Sequence, residues 1–112
     1  MSLLFREEHV APILERRKTQ TRRLWPHGRR CKPGSLHWAQ TGMFDRGRFA
    51  RLRILRVWQE YVEDITEDDA MAEGYPSRLH FLTAFYLINR RRVPSNVNEK
   101  MLVYCIEFEV LA

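Results

Sequence analysis

Between Arg16 and Arg23 the chain reads Arg-Arg-Lys-Thr-Gln-Thr-Arg-Arg, so eight residues carry five cations and two hydroxyls. The segment holds no acid and cannot neutralise itself through the i, i+4 ion pairs of an ordinary solvated helix face. An anion, or a carboxylate from elsewhere in the chain, must supply the compensating charge. On a strand, Thr19, Thr21 and Arg23 share one face while Gln20, Arg22 and Leu24 share the other, because side chains alternate with period two. Two hydroxyls and a guanidinium then point the same way. The same residues also read as a basic edge strand whose charges discourage aggregation.

The charge distribution along the chain extends this asymmetry. The net charge is +5, yet residues 16–56 carry thirteen Arg and Lys against one acid, Asp45, giving +12, and residues 57–75 carry seven acids and no base. The two blocks either pair across the fold or leave the basic half open to a polyanion such as RNA. Sixteen of the nineteen cations are Arg, which suits bidentate phosphate contacts. At 112 residues and 45% hydrophobic content, the chain is expected to form one domain, 1–112, with a modest core. The apolar run Met1 to Phe5 is too short for a signal peptide, and no stretch reaches membrane-spanning length, so a soluble, cytoplasmic protein is expected. Cys31 and Cys105 are expected to be free thiols, and His27 with Cys31 supplies too few ligands for a metal site. No cofactor is expected.

The elements that position the basic stretch follow from periodicity. Val10, Ile13 and Leu14 form an i, i+3, i+4 stripe, which predicts a short helix over Glu7 to Arg17 whose well-formed part starts near His9, because Pro12 is tolerated only in a first turn. The basic strand follows, ending at Trp25. Pro26 to Gly34 is a loop with two prolines, two glycines and three cations, a candidate phosphate contact. Ser35 to Thr41 is a strand, Gly42 to Gly47 a turn, and Phe49 to Tyr61 a long strand whose apolar phase slips near Ile54-Leu55, which predicts a β-bulge. Thr66 opens a short helix that Gly74 ends, with Glu73 in its last turn, and Ser77 opens another with Phe81, Phe85 and Ile88 on one face. Residues 93–98 are expected to be loop. Met101 to Leu111 closes the sheet with Tyr104, Ile106, Phe108 and Val110 on one face. Trp25, between the basic strand and the basic loop, is the tryptophan expected to meet a ligand, whereas Trp38 is expected to fill the barrel.

The run Ile13-Leu14-Glu15-Arg16-Arg17-Lys18-Thr19-Gln20-Thr21-Arg22-Arg23 resembles the opening motif of the ASCH family, a branch of the PUA-like β-barrels. Lys32-Pro33-Gly34 resembles its Lys-x-Gly turn, the segment from Asp64 to Tyr75 its acidic helix, and Ile106-Glu107-Phe108 its closing strand. One departure is that the family usually has Gly where this chain has Arg16, at a position that caps the preceding helix in the left-handed conformation. The resemblance implies an α+β fold, a small PUA-like open β-barrel of about five to six strands flanked by short helices. It also implies three functions: removal of the acyl group from N4-acetylcytidine, RNA binding without catalysis, or ribonuclease activity. For the first, Lys18, Thr21 and Glu73 match the family's lysine, threonine and glutamate. Thr21 would be the nucleophile, Lys18 the base and Glu73 the acid, provided Lys18 lies in the helix-to-strand turn. Arg17, Thr19, Arg22, Arg23, Trp25, Arg29, Arg30 and Lys32 are the candidate substrate or RNA contacts. The expected partner is RNA or a nucleoside.

Overall fold

The computed structural model describes residues 2–92 and 100–111; the expected loop at 93–98 lies outside the described residues. The strands are β1 (Ser2–Leu4), β2 (Gln20–Arg23), β3 (Leu36–Gln40), β4 (Arg48–Tyr61) and β5 (Leu102–Val110). The helices are α1 (Val10–Leu14), α2 (Glu67–Ala72) and α3 (Arg78–Ile88), with single 3-10 turns at Glu7–His9 and Val62–Asp64. The strands form one sheet in the order β1-β3-β4-β5-β2, in which only the β1–β3 pair is parallel. β1 and β2 lie at opposite ends of that order, so the sheet is open, as the α+β expectation has it.

β4 is the spine, pairing with β3 on one side and β5 on the other. Its register against β5 shifts between Ile54 and Arg56, leaving Leu55 as the extra residue of the expected bulge. Leu55 turns outward, and Val57 returns to the face that Ile54 occupies, opposite Ile106 and Phe108. The apolar slip in the sequence is therefore a bulge that keeps one face continuously apolar.

Two apolar clusters fill the molecule. The first gathers Leu3, Phe5, Ile13, Leu52, Ile54, Ile106 and Phe108, and the second gathers Val62, Ile65, Ala70, Phe81, Phe85, Met101, Val103 and Cys105. β5 serves both, because Ile106 and Phe108 face one cluster and Val103 and Cys105 the other. Cys31 and Cys105 are both buried free thiols. No helix among the described residues is long and apolar enough to cross a membrane.

Three expectations need correction. The strand β1 has no counterpart in the sequence reading, since three residues show no alternation. The first helix is shorter than expected, ending at Leu14, because Arg16 takes a left-handed φ of 62°. Trp38 does not fill the interior: His37 takes the inward position, and Trp38 lies half-exposed on the other face beneath the guanidiniums of Arg48 and Arg51, 5.0 and 4.7 Å from its ring. Cation–π contacts cover the ring where the interior does not.

Candidate functional site

Two helix ends meet at the site, and both finish in the same way. Behind α1, Arg17 N–H donates to Pro12 O (2.9 Å) and Arg16 N–H to Ile13 O (3.0 Å), the paired bonds of a Schellman turn around the left-handed Arg16. Behind α2, Tyr75 N–H donates to Ala70 O (3.1 Å) and Gly74 N–H to Met71 O (2.9 Å), around Gly74 at φ 98°. The first turn swings Lys18 inward ahead of β2, and the second presents Glu73. A Cβ on Gly74 would sit 3.4 Å from the Lys18 Cβ, so the close approach of the two turns suits glycine there.

Lys18 Nζ donates to the carbonyl oxygen of Glu73 (2.6 Å) and to its Oε1 (3.0 Å), and Thr19 N–H donates to Ala72 O (2.7 Å). These bonds satisfy the open carbonyls at the end of α2 and place a cation at the negative end of its dipole. Both side chains are buried, with Lys18 and Glu73 each 3% exposed. Burial pulls the Lys18 ammonium below its usual range; Glu73 opposes that, while Arg23 and Arg22 reinforce it.

Arg22 reaches Glu73 from the other side, its Nη1 donating to Oε2 at 3.0 Å. The same guanidinium donates to Glu60 (2.9 and 2.6 Å), to Asp69 (3.3 Å) and to Gln20 (2.9 Å). Burial alone would lower it, but Glu73, Cys105 and Glu60 hold it above the ordinary guanidinium range. The basic and acidic blocks thus pair across the fold at this point. The charge counts offered this pairing as one of two outcomes; that Glu60 and Asp69 are the partners depends on how α2 docks on β2 and was not legible.

Thr21 faces away from Arg22, as strand alternation requires, and accepts from Arg23 Nε at 3.0 Å. Arg23 is fixed in turn by donating to Leu4 O (2.7 Å) and by lying over the Phe5 ring at 4.9 Å. Lys18, Thr21, Arg22, Arg23, Trp25, Arg29, Arg30 and Glu73 all line one cavity of about 770 Å³. Trp25 leans on Tyr104 with ring centroids 5.8 Å apart. Arg17, Thr19 and Lys32 do not line it. Arg17 is exposed and pairs with Glu15 (3.2 Å), Thr19 contributes backbone bonds, and Lys32 borders a neighbouring hollow of about 330 Å³. His27 is exposed at the cavity mouth, whereas Cys31 is in the first core cluster.

The sequence reading missed His9 and Tyr75. Both line the cavity, with Tyr75 OH 3.4 Å from His9 Nε2 and the rings edge to face at 5.8 Å. Burial, then Lys18, pulls the His9 imidazole down to about 4, so it is neutral at pH 7. A lone histidine before a short helix carries no periodic signal that could have marked it.

No family model matches this chain, and no curated protein matches it in sequence. Solved structures do match. An ASCH domain from Lactobacillus crispatus superposes with a TM-score of 0.76 at 18% identity, over 98% of this chain and 77% of that one. The chain has the ASCH fold. A DUF984 protein from Enterococcus faecalis superposes with a TM-score of 0.73, also at 18% identity, over 93% of this chain and 67% of that one. The resemblance read from the motifs therefore extends to the fold. At such identity an ASCH fold fixes the architecture and leaves the chemistry to the residues in the cavity.

Proposed function

We propose that this protein is an amidohydrolase that removes the acyl group from N4-acetylcytidine-type substrates. The observation that carries the reading is that Lys18, Thr21 and Glu73 border a single cavity of about 770 Å³, within the roughly 300–1,000 Å³ span of small-ligand pockets. Phe5, Trp25, Tyr75 and Phe81 give that cavity apolar walls suited to a nucleobase.

In this scheme Thr21 attacks the acyl carbon. Its hydroxyl accepts from Arg23, which leaves its own proton for a base. Lys18, made less basic by burial, takes that proton in its neutral form. The guanidinium of Arg23, beside Thr21, stabilises the oxyanion. As the C–N4 bond breaks, the Lys18 ammonium returns the proton to the departing amine. Water then hydrolyses the Thr21 ester by the same exchange, giving acetate and cytidine. Glu73 accepts bonds from both Lys18 and Arg22, an arrangement better suited to holding the base than to donating a proton. The test is release of acetate from N4-acetylcytidine by the purified protein. No release between pH 7 and pH 10 would overturn the reading.

A second reading, RNA binding without catalysis, is favoured by the exposed Arg29 and Arg30 at the cavity mouth. It predicts binding of single-stranded RNA whose affinity falls steeply with salt, as released counterions require. Undetectable binding at low salt would sink it.

A further inference from the structure

The loop from Pro26 to Ser35 is pinned at several points although it belongs to no strand. Gly28, at φ 99°, turns the chain and donates to Trp25 O at 3.3 Å; Gly34 N–H donates to Ile54 O at 2.7 Å; Ser35 Oγ donates to Lys32 O at 2.6 Å. Between these points Cys31 is buried in the first core cluster. Anchoring Cys31 inward turns Arg29 and Arg30 outward, and both are exposed. None of the ion pairs among the described residues involves either guanidinium.

Their placement is specific. Arg29 and Arg30 border both the large cavity and the neighbouring hollow that Lys32, Ser35 and His37 complete, so they form the ridge between the two. The acid in the cavity wall, Glu73, is already shared between Lys18 and Arg22. Two adjacent guanidiniums on a fixed loop, paired with no carboxylate among the described residues, match a phosphate, whose oxygens accept forked hydrogen bonds.

We propose that Arg29 and Arg30 form a phosphate subsite at the cavity mouth, so that the ligand is a cytidine nucleotide rather than a bare nucleoside. This rests on the cavity being a cytidine site, as proposed above. The phosphate belongs either to a free mononucleotide or to a residue within RNA. In the second case the next nucleotide crosses the ridge into the hollow at Lys32 and His37.

Calorimetric titration with cytidine, cytidine 5′-monophosphate and the dinucleotide CpC tests this. The monophosphate is expected to bind about tenfold more tightly than the nucleoside at low salt, with the preference shrinking as salt rises. In the double variant Arg29→Gln/Arg30→Gln the ratio of the two affinities should fall to near one. Equal affinities in the wild type, or an unchanged ratio in the variant, would overturn the subsite. A gain with CpC at least equal to that of the monophosphate assigns the subsite to RNA; a smaller gain assigns it to a terminal phosphate. Acetate release separates this from the catalytic proposal. A phosphate preference in binding without acetate release from N4-acetylcytidine 5′-monophosphate keeps the subsite and removes the hydrolase. Equal kcat/KM for the acetylated nucleoside and its monophosphate does the reverse.

Discussion

Lys18 Nζ lies 2.6 Å from the carbonyl oxygen of Glu73 and 3.0 Å from its carboxylate, so one residue offers the lysine both a helix-end dipole and a full negative charge. Neither offsets the loss of water around a side chain 3% exposed, and the ammonium is held below the ordinary 10.5. If neutral Lys18 is the base, acetate release should rise with pH and level off at an apparent pKa below that of a free lysine. The pH profile of kcat/KM checks this. Lys18→Met should remove the rising limb together with nearly all activity; a profile that keeps its limb in the variant would assign the base to another group.

Thr21→Ala and Thr21→Ser separate nucleophile from wall. The serine keeps the hydroxyl that accepts from Arg23, so it should retain measurable acetate release, while alanine should lose it by a factor of about 10² or more. Trapping of a covalent acyl adduct on the wild type, visible by mass spectrometry, would accompany this. Full activity in the alanine variant would exclude Thr21 as the nucleophile.

Arg22 looked like one cation among five in the sequence, yet its side chain is fully buried and meets Glu60, Asp69 and Glu73. Arg22→Met leaves those acids without their common partner, which typically costs about 3–5 kcal/mol when a buried ion pair is broken. A fall of that size in chemical-denaturation stability is expected. A loss below about 1 kcal/mol would mean that the acids find water or another cation when Arg22 is removed.

Arg16 adopts φ 62° as the turning residue behind α1. A left-handed non-glycine residue costs roughly 1–2 kcal/mol, partly offset by the extra freedom a glycine gains when unfolded. Arg16→Gly should therefore stabilise the protein by up to about 1 kcal/mol, read as a higher denaturant midpoint with an unchanged slope. The Arg16 side chain is exposed, so little packing is lost. A lower midpoint would show that the guanidinium makes a compensating contact in solution.

Much of this was legible because it is written in local chemistry. The capping residues Thr66 and Ser77 accept from Asp69 and His80 N–H as their types suggest, and the phase slip at Ile54-Leu55 is the bulge. The cationic run without acids stood out because it must be answered from elsewhere, and within it the ASCH resemblance singled out Lys18 and Thr21. What stayed hidden depends on distant docking. β1 exists because β3 offers it a parallel edge, and nothing within three residues records that. Which cations are structural and which face the cavity follows from the register of β2 on β5, where Arg22 stands opposite Cys105 and Thr21 opposite Ile106. Trp38 and His37 could not be sorted by hydrophobicity, because two arginines from β4 cover the tryptophan outside the core.

His9 gives a separate handle on the cavity through stability. Its imidazole is held at about 4 instead of 6.5, by burial first and by Lys18 next, with Arg23 and Arg6 adding to the effect, Glu8 opposing it and Tyr75 packed against the ring. Above pH 6.5 the ring is neutral in both folded and unfolded chains, so it contributes no pH dependence. Between 6.5 and about 4 the unfolded chain takes up a proton that the folded one refuses, and the folded state loses stability as pH falls; below that the penalty is constant. The ring is half-buried, so after discounting for solvent screening the loss is on the order of 1–2 kcal/mol. Carboxylates titrate across the same range, and the comparison with His9→Phe isolates the imidazole while keeping an aromatic ring against Tyr75. The difference in unfolding free energy between pH 7 and pH 4.5 should be smaller in the variant than in the wild type. Identical differences would show that the imidazole accepts its proton in the folded cavity as readily as in the unfolded chain.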